Sequence, residues 1–240
     1  MNHRVEINDL QFSYNLRRAP AVDLPSLHLA SGIHFVVGSN GSGKSTLLRI
    51  LAGILVPQFG STTFDHTPLP RSGAERQGIA PTAYLKQDHT LRGRTSSLAF
   101  LQYSLWMHGI SPSQIEARSI ASLRAVGLDE MRETPIGRLS GGMQRRLGLA
   151  AEVAHDPRLV LLDEPTSGLD HEAREAVHNI VSSLAEAGAV VVISSHDESE
   201  IDRYSSAVHV MSQGRVIKTV HNSPGGKLSL ANIADISPLA

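Results

Sequence analysis

The sequence contains a glycine-rich segment whose residue types suit the binding of a phosphate group. Residues Gly38–Ser45 read Gly-Ser-Asn-Gly-Ser-Gly-Lys-Ser and fit the pattern G-x-x-x-x-G-K-[ST]. Glycines let backbone N–H groups point inward around an anion, and the start of a following helix adds partial positive charge. In this pattern the lysine reaches the β- and γ-phosphates and the serine hydroxyl coordinates Mg²⁺. The segment predicts a nucleoside triphosphate site built on Lys44 and Ser45.

Two adjacent acids follow an apolar run later in the chain. Asp163 and Glu164 come directly after Leu159–Leu162, which reads as a buried strand. Ligands of open parallel sheets lie beyond the carboxyl ends of the strands. If this strand neighbours the one before the phosphate segment, Asp163 would hold Mg²⁺ on the side of Ser45. Glu164 could then orient and deprotonate a water. Taken alone, two acids after a strand are also typical of a solvated strand end.

A second segment could bind an anion at the start of a helix. Ser140, Gly141 and Gly142 precede a helical pattern of apolar residues. Serine is a good N-cap residue, and the two glycines leave the first helical N–H groups open. The alternative is an ordinary helix cap without a ligand. One chain would thus carry two anion-binding helix starts but a single lysine loop.

The elements that must position these residues alternate between strands and helices. Strand patterns at residues 33–37, 61–65, 82–86, 159–162 and 190–194 are interspersed with helical patterns at 44–54, from about 142, and at 171–187. The first residues read as antiparallel strands, and a two-strand hairpin is predicted at 208–220. Strand signals are missing between residues 90 and 138, which predicts an inserted helical subdomain. The fold class is α/β with a mostly parallel sheet and an N-terminal antiparallel β portion. We expect one domain over residues 1–222 and a tail at 223–240.

The composition excludes several classes of protein. The 240 residues carry a formal net charge of −1, so no basic excess exists for a nucleic acid, and no nucleic-acid partner is expected. The chain has no cysteine, which excludes disulfides and thiolate chemistry and fits a reducing compartment. No apolar leader is present, and the longest apolar run, Ala189–Ile193, is far shorter than the ~18 residues of a membrane span.

Five motifs in a fixed order resemble those of ABC transporter nucleotide-binding subunits, which have a P-loop ATPase core. Gly38–Ser45 resembles the Walker A segment, Leu139–Gly142 the family signature, and Leu161–Asp170 the Walker B strand running into the D-loop. Gln87 is similar to the Q-loop glutamine, and His196 to the switch histidine. Tyr14 resembles the aromatic residue that stacks on adenine; the alternative is Phe12, two residues earlier on the same predicted strand face.

The resemblance implies a role for each of these residues, with ATP and Mg²⁺ as cofactors. It implies Glu164 as the general base, with His196 contacting the γ-phosphate and Gln87 serving the metal and the water. The implied metal residues are Ser45, Gln87 and Asp163. The implied nucleotide contacts are Tyr14, Gly38, Asn40, Gly41, Ser42, Gly43, Lys44, Ser45 and Thr46, together with Ser140, Gly141 and Gly142 from a second subunit. Asp170 would signal to the second subunit across the dimer interface.

The resemblance also implies partners and a location. Two subunits, identical or different, would close head to tail on ATP, and a separate transmembrane permease would receive the work. The chain would then lie on the cytoplasmic face of the membrane. Met143, where the family often has glutamine, favours an exporter. The apolar segment Leu98–Met107 would be subdomain core, or would contribute with the loop after Gln87 to a groove for a helix of the permease.

Two alternatives belong to other classes of protein. The first is a soluble ABC-type ATPase that acts as an assembly or regulatory factor without a membrane partner. The second is a nucleotide-binding regulatory module that hydrolyses nothing, whose expected mark is a missing base; Glu164 is present. GTPases and kinases of the P-loop class do not account for Ser140-Gly141-Gly142.

Overall fold

A computed structural model describes residues 3–15, 19–69, 82–87 and 90–222 of the chain. The strands are β1 Arg4–Phe12, β2 Val22–Ala30, β3 Gly32–Val37, β4 Phe59–Phe64, β5 Thr67–Pro68, β6 Thr82–Leu85, β7 Leu159–Asp163, β8 Val190–Ser194, β9 Ala207–Ser212 and β10 Arg215–His221. The helices are α1 Lys44–Leu51, α2 Ser97–Met107, α3 Pro112–Ala125, α4 Gly141–Val153, α5 His171–Glu186 and α6 Glu198–Tyr204. The predicted tail at 223–240 lies outside the described residues, and the division into domains stays a prediction.

The strands form two sheets, and the larger one is mostly parallel. Its order is β10-β9-β3-β8-β7-β6, and only the β9–β10 hairpin pairs antiparallel. The smaller sheet, β2-β1-β4-β5, is antiparallel. The predicted α/β fold class with an antiparallel N-terminal portion is confirmed.

Helix α1 lies between the two sheets. Its residues Leu47, Leu48 and Leu51 are buried in one cluster with residues of β1 and with Val36 and Leu161 of the larger sheet. Helices α4, α5 and α6 contribute residues to a second cluster on the opposite face of that sheet. Since α1 starts at the phosphate segment, the burial of its apolar face fixes where that segment lies.

Strand β1 changes the face that it buries at Asp9. Val5 and Ile7 are buried before it, and Leu10 and Phe12 after it, so the buried positions switch from odd to even. Asp9 has a φ of 48°, and the pairing of β1 with β4 shifts register between Asn8 and Gln11, which is the effect of a β-bulge. The strand ends at Phe12, so the expectation that Phe12 and Tyr14 share a strand face is wrong.

Helices α2 and α3 form the centre of the segment that was predicted to be helical. Leu101 and Leu105 of α2 are fully buried, and Leu101 and Leu123 belong to a third apolar cluster. Leu98 and Phe100 of α2 are partly buried against this cluster, whereas Tyr103, Trp106 and Met107 are 60% exposed each. Among the described residues no helix is both long and apolar enough to span a bilayer.

A chain of hydrogen bonds joins two histidines and a threonine on the three strands β3, β9 and β10 of the larger sheet. His34 Nε2 donates to the carbonyl oxygen of Ala30 (2.6 Å), and His34 Nδ1 lies 3.1 Å from His209 Nε2. His209 Nδ1 lies 3.0 Å from the hydroxyl of Thr219. A carbonyl can only accept, so in the neutral pair His209 Nε2 donates to His34 Nδ1. A proton added to His34 Nδ1 would set that N–H against the N–H of His209 Nε2. A proton added to His209 would lie on Nδ1 and face the hydroxyl of Thr219, which can accept.

Burial makes both histidines favour their neutral forms. Burial, more than the charge of a neighbouring histidine, lowers the pKa of His209 from 6.5 to about 3. Burial likewise lowers the pKa of His34. Because a folded-state pKa below 6.5 means that the unfolded chain takes up protons first, this stabilisation is present above pH 6.5 and is lost on acidification.

We expect the free energy of unfolding to fall between pH 7.5 and 5.5, and His209→Gln to reduce this loss by ~1 kcal/mol. Glutamine can donate and accept but does not titrate in this range. Urea unfolding at several pH values measures the change. The control is His28→Gln, because His28 on β2 is exposed to solvent. An unaltered pH dependence in His209→Gln would contradict the assignment.

Candidate functional site

The phosphate segment connects the end of β3 to the start of α1 and is held from two sides. Gly38 (φ 150°) and Gly43 (φ 107°) have backbone conformations that favour glycine. A Cβ at Gly38 would lie 2.2 Å from the carbonyl oxygen of Met211, and one at Gly43 would lie 2.4 Å from that of Ala21. The turn between β9 and β10 also touches the segment, since Gly214 N donates to the carbonyl oxygen of Ser42 (2.9 Å). Gly38 and Gly43 are thus required by close contacts with the backbone of neighbouring segments of the chain.

Lys44 is held inside the segment by backbone carbonyls. Its side chain is largely buried, and Nζ donates to the carbonyl oxygens of Gly38 (2.7 Å) and Ser39 (3.1 Å). Burial lowers the pKa of Lys44, while the carboxylates of Glu164 and Asp163 oppose that shift. The ammonium therefore lies within the field of both acids that the sequence singled out.

Asp163 is brought to Ser45 although their strands are not neighbours. Strand β8 lies between β3 and β7, so the adjacency on which the prediction was conditioned does not occur. The hydroxyl of Ser45, in the first turn of α1, still donates to Asp163 Oδ1 (3.0 Å). The second oxygen, Oδ2, is buried and has no hydrogen-bond partner among the described residues. A hydroxyl and an unpartnered carboxylate oxygen are hard donors of the kind that Mg²⁺ takes.

Glu164 has a strained backbone and a carboxylate surrounded by the other predicted residues. Its φ of 49° is unusual for a residue with a side chain and costs ~1–3 kcal/mol. Gln87 Nε2 donates to Glu164 Oε2 (3.1 Å), and His196 Nδ1 lies 3.6 Å from Oε1. The structure thus brings together the three side chains that the sequence predicts to be catalytic.

Ser194 is a site residue that the sequence reasoning missed. In the parallel pairing of β7 with β8 it lies opposite Asp163. Its hydroxyl donates to Asp163 Oδ1 (2.6 Å) and accepts from the backbone N–H of Glu164 (3.0 Å). One buried hydroxyl therefore orients both acids. The sequence shows a serine at the end of a predicted strand, but that this strand lies next to the acidic one is known only from the sheet order.

A buried carboxylate behind the site was missed as well. Glu200 Oε2 accepts from the hydroxyls of Thr166 (3.0 Å) and Ser195 (3.3 Å), and His178 Nε2 lies 3.4 Å from Oε1. Thr166 belongs to the segment after Glu164, and Ser195 precedes His196. Glu200 thus connects the segment after Glu164 to the segment that contains His196.

The signature segment is open to solvent and separate from the chain's own phosphate segment. Ser140 caps α4 by accepting from the N–H of Met143 (3.3 Å), and Ser140 and Gly141 are exposed. Within the described residues no hydrogen bond joins Ser140–Gly142 to Gly38–Thr46. Ser140 therefore acts as an ordinary N-cap in this structure, and the start of α4 is exposed to solvent.

Tyr14 lies beside the phosphate segment, whereas Phe12 is in the core. Tyr14 is 63% exposed, and its hydroxyl lies 3.2 Å from that of Thr46; Phe12 is 6% exposed and packs edge-on against the Tyr14 ring. Of the two aromatic candidates, Tyr14 is the one accessible to a ligand. Asn40 and Gly41 are exposed at the tip of the segment.

We expect Gly43→Ala to destabilise the folded chain by ~2 kcal/mol more than Gly41→Ala and to weaken ATP binding at least tenfold. Both positions have positive φ, but a Cβ at Gly41 has nothing within 4 Å, whereas one at Gly43 meets the carbonyl of Ala21. Thermal melting and titration with a fluorescent ATP analogue measure the two effects. Equal behaviour of the two variants would show that the close contact does not constrain the segment.

Comparison with known proteins gives a consistent family match. The family model described as ABC transporter matches residues 25–167. The Nod factor export ATP-binding protein I of Paraburkholderia xenovorans (strain LB400) is 34% identical over 89% of this chain and 69% of its own length. The daunorubicin/doxorubicin resistance ATP-binding protein DrrA of Streptomyces peucetius is 34% identical over 89% of this chain and 64% of its own. The chain thus spans about two thirds of the length of these curated relatives.

Solved structures agree on the fold. An ATP-binding subunit of an ABC transporter superposes with a TM-score of 0.81 at 23% identity, covering 96% of this chain and 93% of its own. A dimeric ATP-binding cassette in a post-hydrolysis state with ADP and Pi gives 0.82 at 22% identity over 92% of this chain and 99% of its own. Since the family model spans more than half of the chain and a relative above 30% identity is covered over two thirds of its length, the chain belongs to the ABC transporter family.

Proposed function

We propose that the chain is an ATP-hydrolysing subunit that dimerises head to tail on ATP and drives a separate transmembrane permease, in the direction of export. The observation that carries the proposal is the division of the site. Lys44, Asp163 and Glu164 lie together, while the helix start at Ser140 is exposed and makes no hydrogen bond to Gly38–Thr46 among the described residues. Each chain thus offers two different halves of a composite site, which is what a head-to-tail pair requires.

The binding half holds the triphosphate with backbone N–H groups and one ammonium. Lys44 would exchange its two carbonyl partners, Gly38 and Ser39, for phosphate oxygens. The positive end of α1 favours the same charge. Tyr14, beside the segment, would stack on the base, and Ser140, Gly141 and Gly142 of a second chain would close over the γ-phosphate.

The residues present fit Mg²⁺, which would be held by Ser45 and Asp163. The unpartnered Asp163 Oδ2 supplies a buried negative oxygen, and Ser45 is already hydrogen-bonded to the same carboxylate. Within the described residues no group of three or more His, Asp or Glu side chains could hold a metal ion. When bound, Mg²⁺ would neutralise charge on the β- and γ-phosphates. Gln87 as a further ligand stays a prediction.

Glu164 would accept the proton of the attacking water. Gln87 restrains its Oε2, and Ser194 holds its backbone N–H. His196, whose side chain is largely exposed, lies beside Glu164 and would contact the γ-phosphate. A carboxylate fixed on both sides keeps one orientation toward the water, which favours general-base catalysis.

The names of relatives support transport and export. Two of them are a Nod factor export protein and a drug resistance protein, and both are named ATP-binding proteins. An energy-coupling factor transporter ATP-binding protein is 34% identical over 82% of the chain. These names favour a permease partner, and therefore a place on the cytoplasmic face of a membrane, over the alternative of an assembly or regulatory factor without one.

We expect Glu164→Gln to lower ATP turnover ~10²–10⁴-fold and to leave ATP binding intact. Glutamine keeps the shape of the side chain and one acceptor oxygen for the amide of Gln87, but it cannot take the proton. The variant should form a stable dimer with ATP, seen by size-exclusion chromatography with light scattering. Phosphate release measures turnover.

The matched control for this experiment is Lys44→Ala, which should lose tight nucleotide binding and form no ATP-dependent dimer. Turnover that survives in Glu164→Gln would remove Glu164 from the role of base. Absence of turnover in the native chain, with nucleotide bound, would favour the regulatory module instead.

The permease is tested by affinity purification of the tagged full chain from cross-linked native membranes. We expect a protein with several membrane spans to be recovered with it, and none with the tag alone. Recovery only from the soluble fraction, in repeated preparations with active ATPase, would favour the alternative without a membrane partner.

A further inference from the structure

Arg145 of the signature helix donates hydrogen bonds to two segments outside that helix. Its Nη1 donates to the carbonyl oxygen of Ser167 (2.6 Å), and its Nη2 donates to the carbonyl oxygen of Gln87 (2.5 Å). Ser167 lies in the segment after Glu164, and Gln87 follows β6. One guanidinium thus ties its own helix to two stretches of chain that lie 22 and 58 residues away in the sequence.

Both residues that Arg145 holds are themselves bonded to Glu164. The side-chain amide of Gln87 donates to Glu164 Oε2 (3.1 Å). The backbone N–H of Ser167 donates to the carbonyl oxygen of Glu164 (3.3 Å). Arg145 therefore closes a ring of contacts around Glu164, with one arm on its carboxylate and the other on its backbone.

The chemistry of the contact calls for arginine. A guanidinium has donors fixed in a planar fork, so it can reach two carbonyl oxygens at a set separation. A lysine ammonium is a single point and loses at least part of this geometry. The bonds to backbone carbonyls fix the chain path of both segments rather than one rotamer of a side chain.

The other end of this connection is the helix itself. On α4, Leu147 and Ala150 pack in the apolar cluster with Leu101 and Leu123 of α2 and α3. The position of Arg145 therefore follows that of the packed helices α2, α3 and α4. Ser140 lies at the start of α4 and moves with the same helices.

We propose that Arg145 is a positioning residue that orients Glu164 through Gln87 and Ser167 and makes that orientation depend on the position of the signature helix. The inference rests on the proposed function, in which Glu164 is the base. It adds that Ser140, which would bind the nucleotide of a partner subunit, is coupled through α4 to Glu164, the proposed base of its own chain.

The kinetic test compares Arg145→Met with Arg146→Met. Arg146 is the next residue of the same helix and also donates to a backbone carbonyl, that of Val126 (2.7 Å), but this contact stays within the helical part. We expect kcat for ATP to fall ~10–100-fold in Arg145→Met with KM within about twofold of the native value, because the base is displaced while the binding half is intact. Arg146→Met should keep the native kcat within about twofold. Arg145→Lys should recover part of the lost rate.

Melting temperatures separate positioning from folding. Native kcat in Arg145→Met would overturn the inference. Equal losses of kcat in Arg145→Met and Arg146→Met, in step with their melting temperatures, would also overturn it, because they would show a general loss of packing.

Hydrogen exchange of the nucleotide-free chain tests the contact without any turnover. The amide of Ser167 and the peptide that contains Gln87 should exchange faster in Arg145→Met and at the native rate in Arg146→Met. Unchanged protection of both segments in Arg145→Met would overturn the inference. A native chain that binds ATP without hydrolysing it would end the proposed function, while this exchange result would still decide whether Arg145 holds the two segments.

Discussion

The site depends on the parallel pairing of β7 with β8, which sets Asp163 opposite Ser194. At this register one serine hydroxyl donates to the carboxylate of Asp163 and accepts from the N–H of Glu164. A shift of one residue would turn every side chain of β7 to the other face of the sheet and break both contacts. Both strands are buried along their whole length, and a shift would move the carboxylate of Asp163 to the other buried face, away from Ser45 and Ser194. The orientation of the two acids is thus a consequence of the register of two core strands.

The strain at Glu164 has a matching explanation. A left-handed backbone at a residue with a side chain persists only when its surroundings determine it. Here the N–H of Glu164 is bonded to Ser194, its carbonyl oxygen to Ser167, and its carboxylate to Gln87. The contacts that offset the strain also aim the carboxylate, so the proposed base is held in place at both its main chain and its side chain.

The sequence predicted the motifs and most of the elements that carry them. The strand Val190–Ser194 has the predicted bounds, and the phosphate segment lies between a strand and a helix as its pattern requires. Such features are local, because glycine and apolar spacing determine them within a few residues. The helix after the segment ends at Leu51 rather than at residue 54, because the chain leaves the helical conformation at Gly53, which has a positive φ.

The features that sequence reasoning missed depend on contacts between distant residues. The order of β3, β8 and β7 and the reach of Ser45 to Asp163 come from sheet topology, which no local pattern contains. Helix α6 is only seven residues long and mostly polar, so it shows no apolar period. Its Glu200 accepts a hydrogen bond from Thr166, which is 34 residues away in the sequence, and this contact follows only from the folded structure.

The turn between β9 and β10 shows how far a short motif extends in space. The loop Gly38–Ser45 has the form of a self-contained signature, yet its outer wall is built from Met211 and Gly214, some 170 residues later in the chain. A fragment cut after β8 would retain Lys44, Asp163, Glu164 and Ser194 and still lack that wall. Phosphate binding therefore depends on the completed sheet. The β9–β10 hairpin, which is synthesised late, supports the phosphate segment.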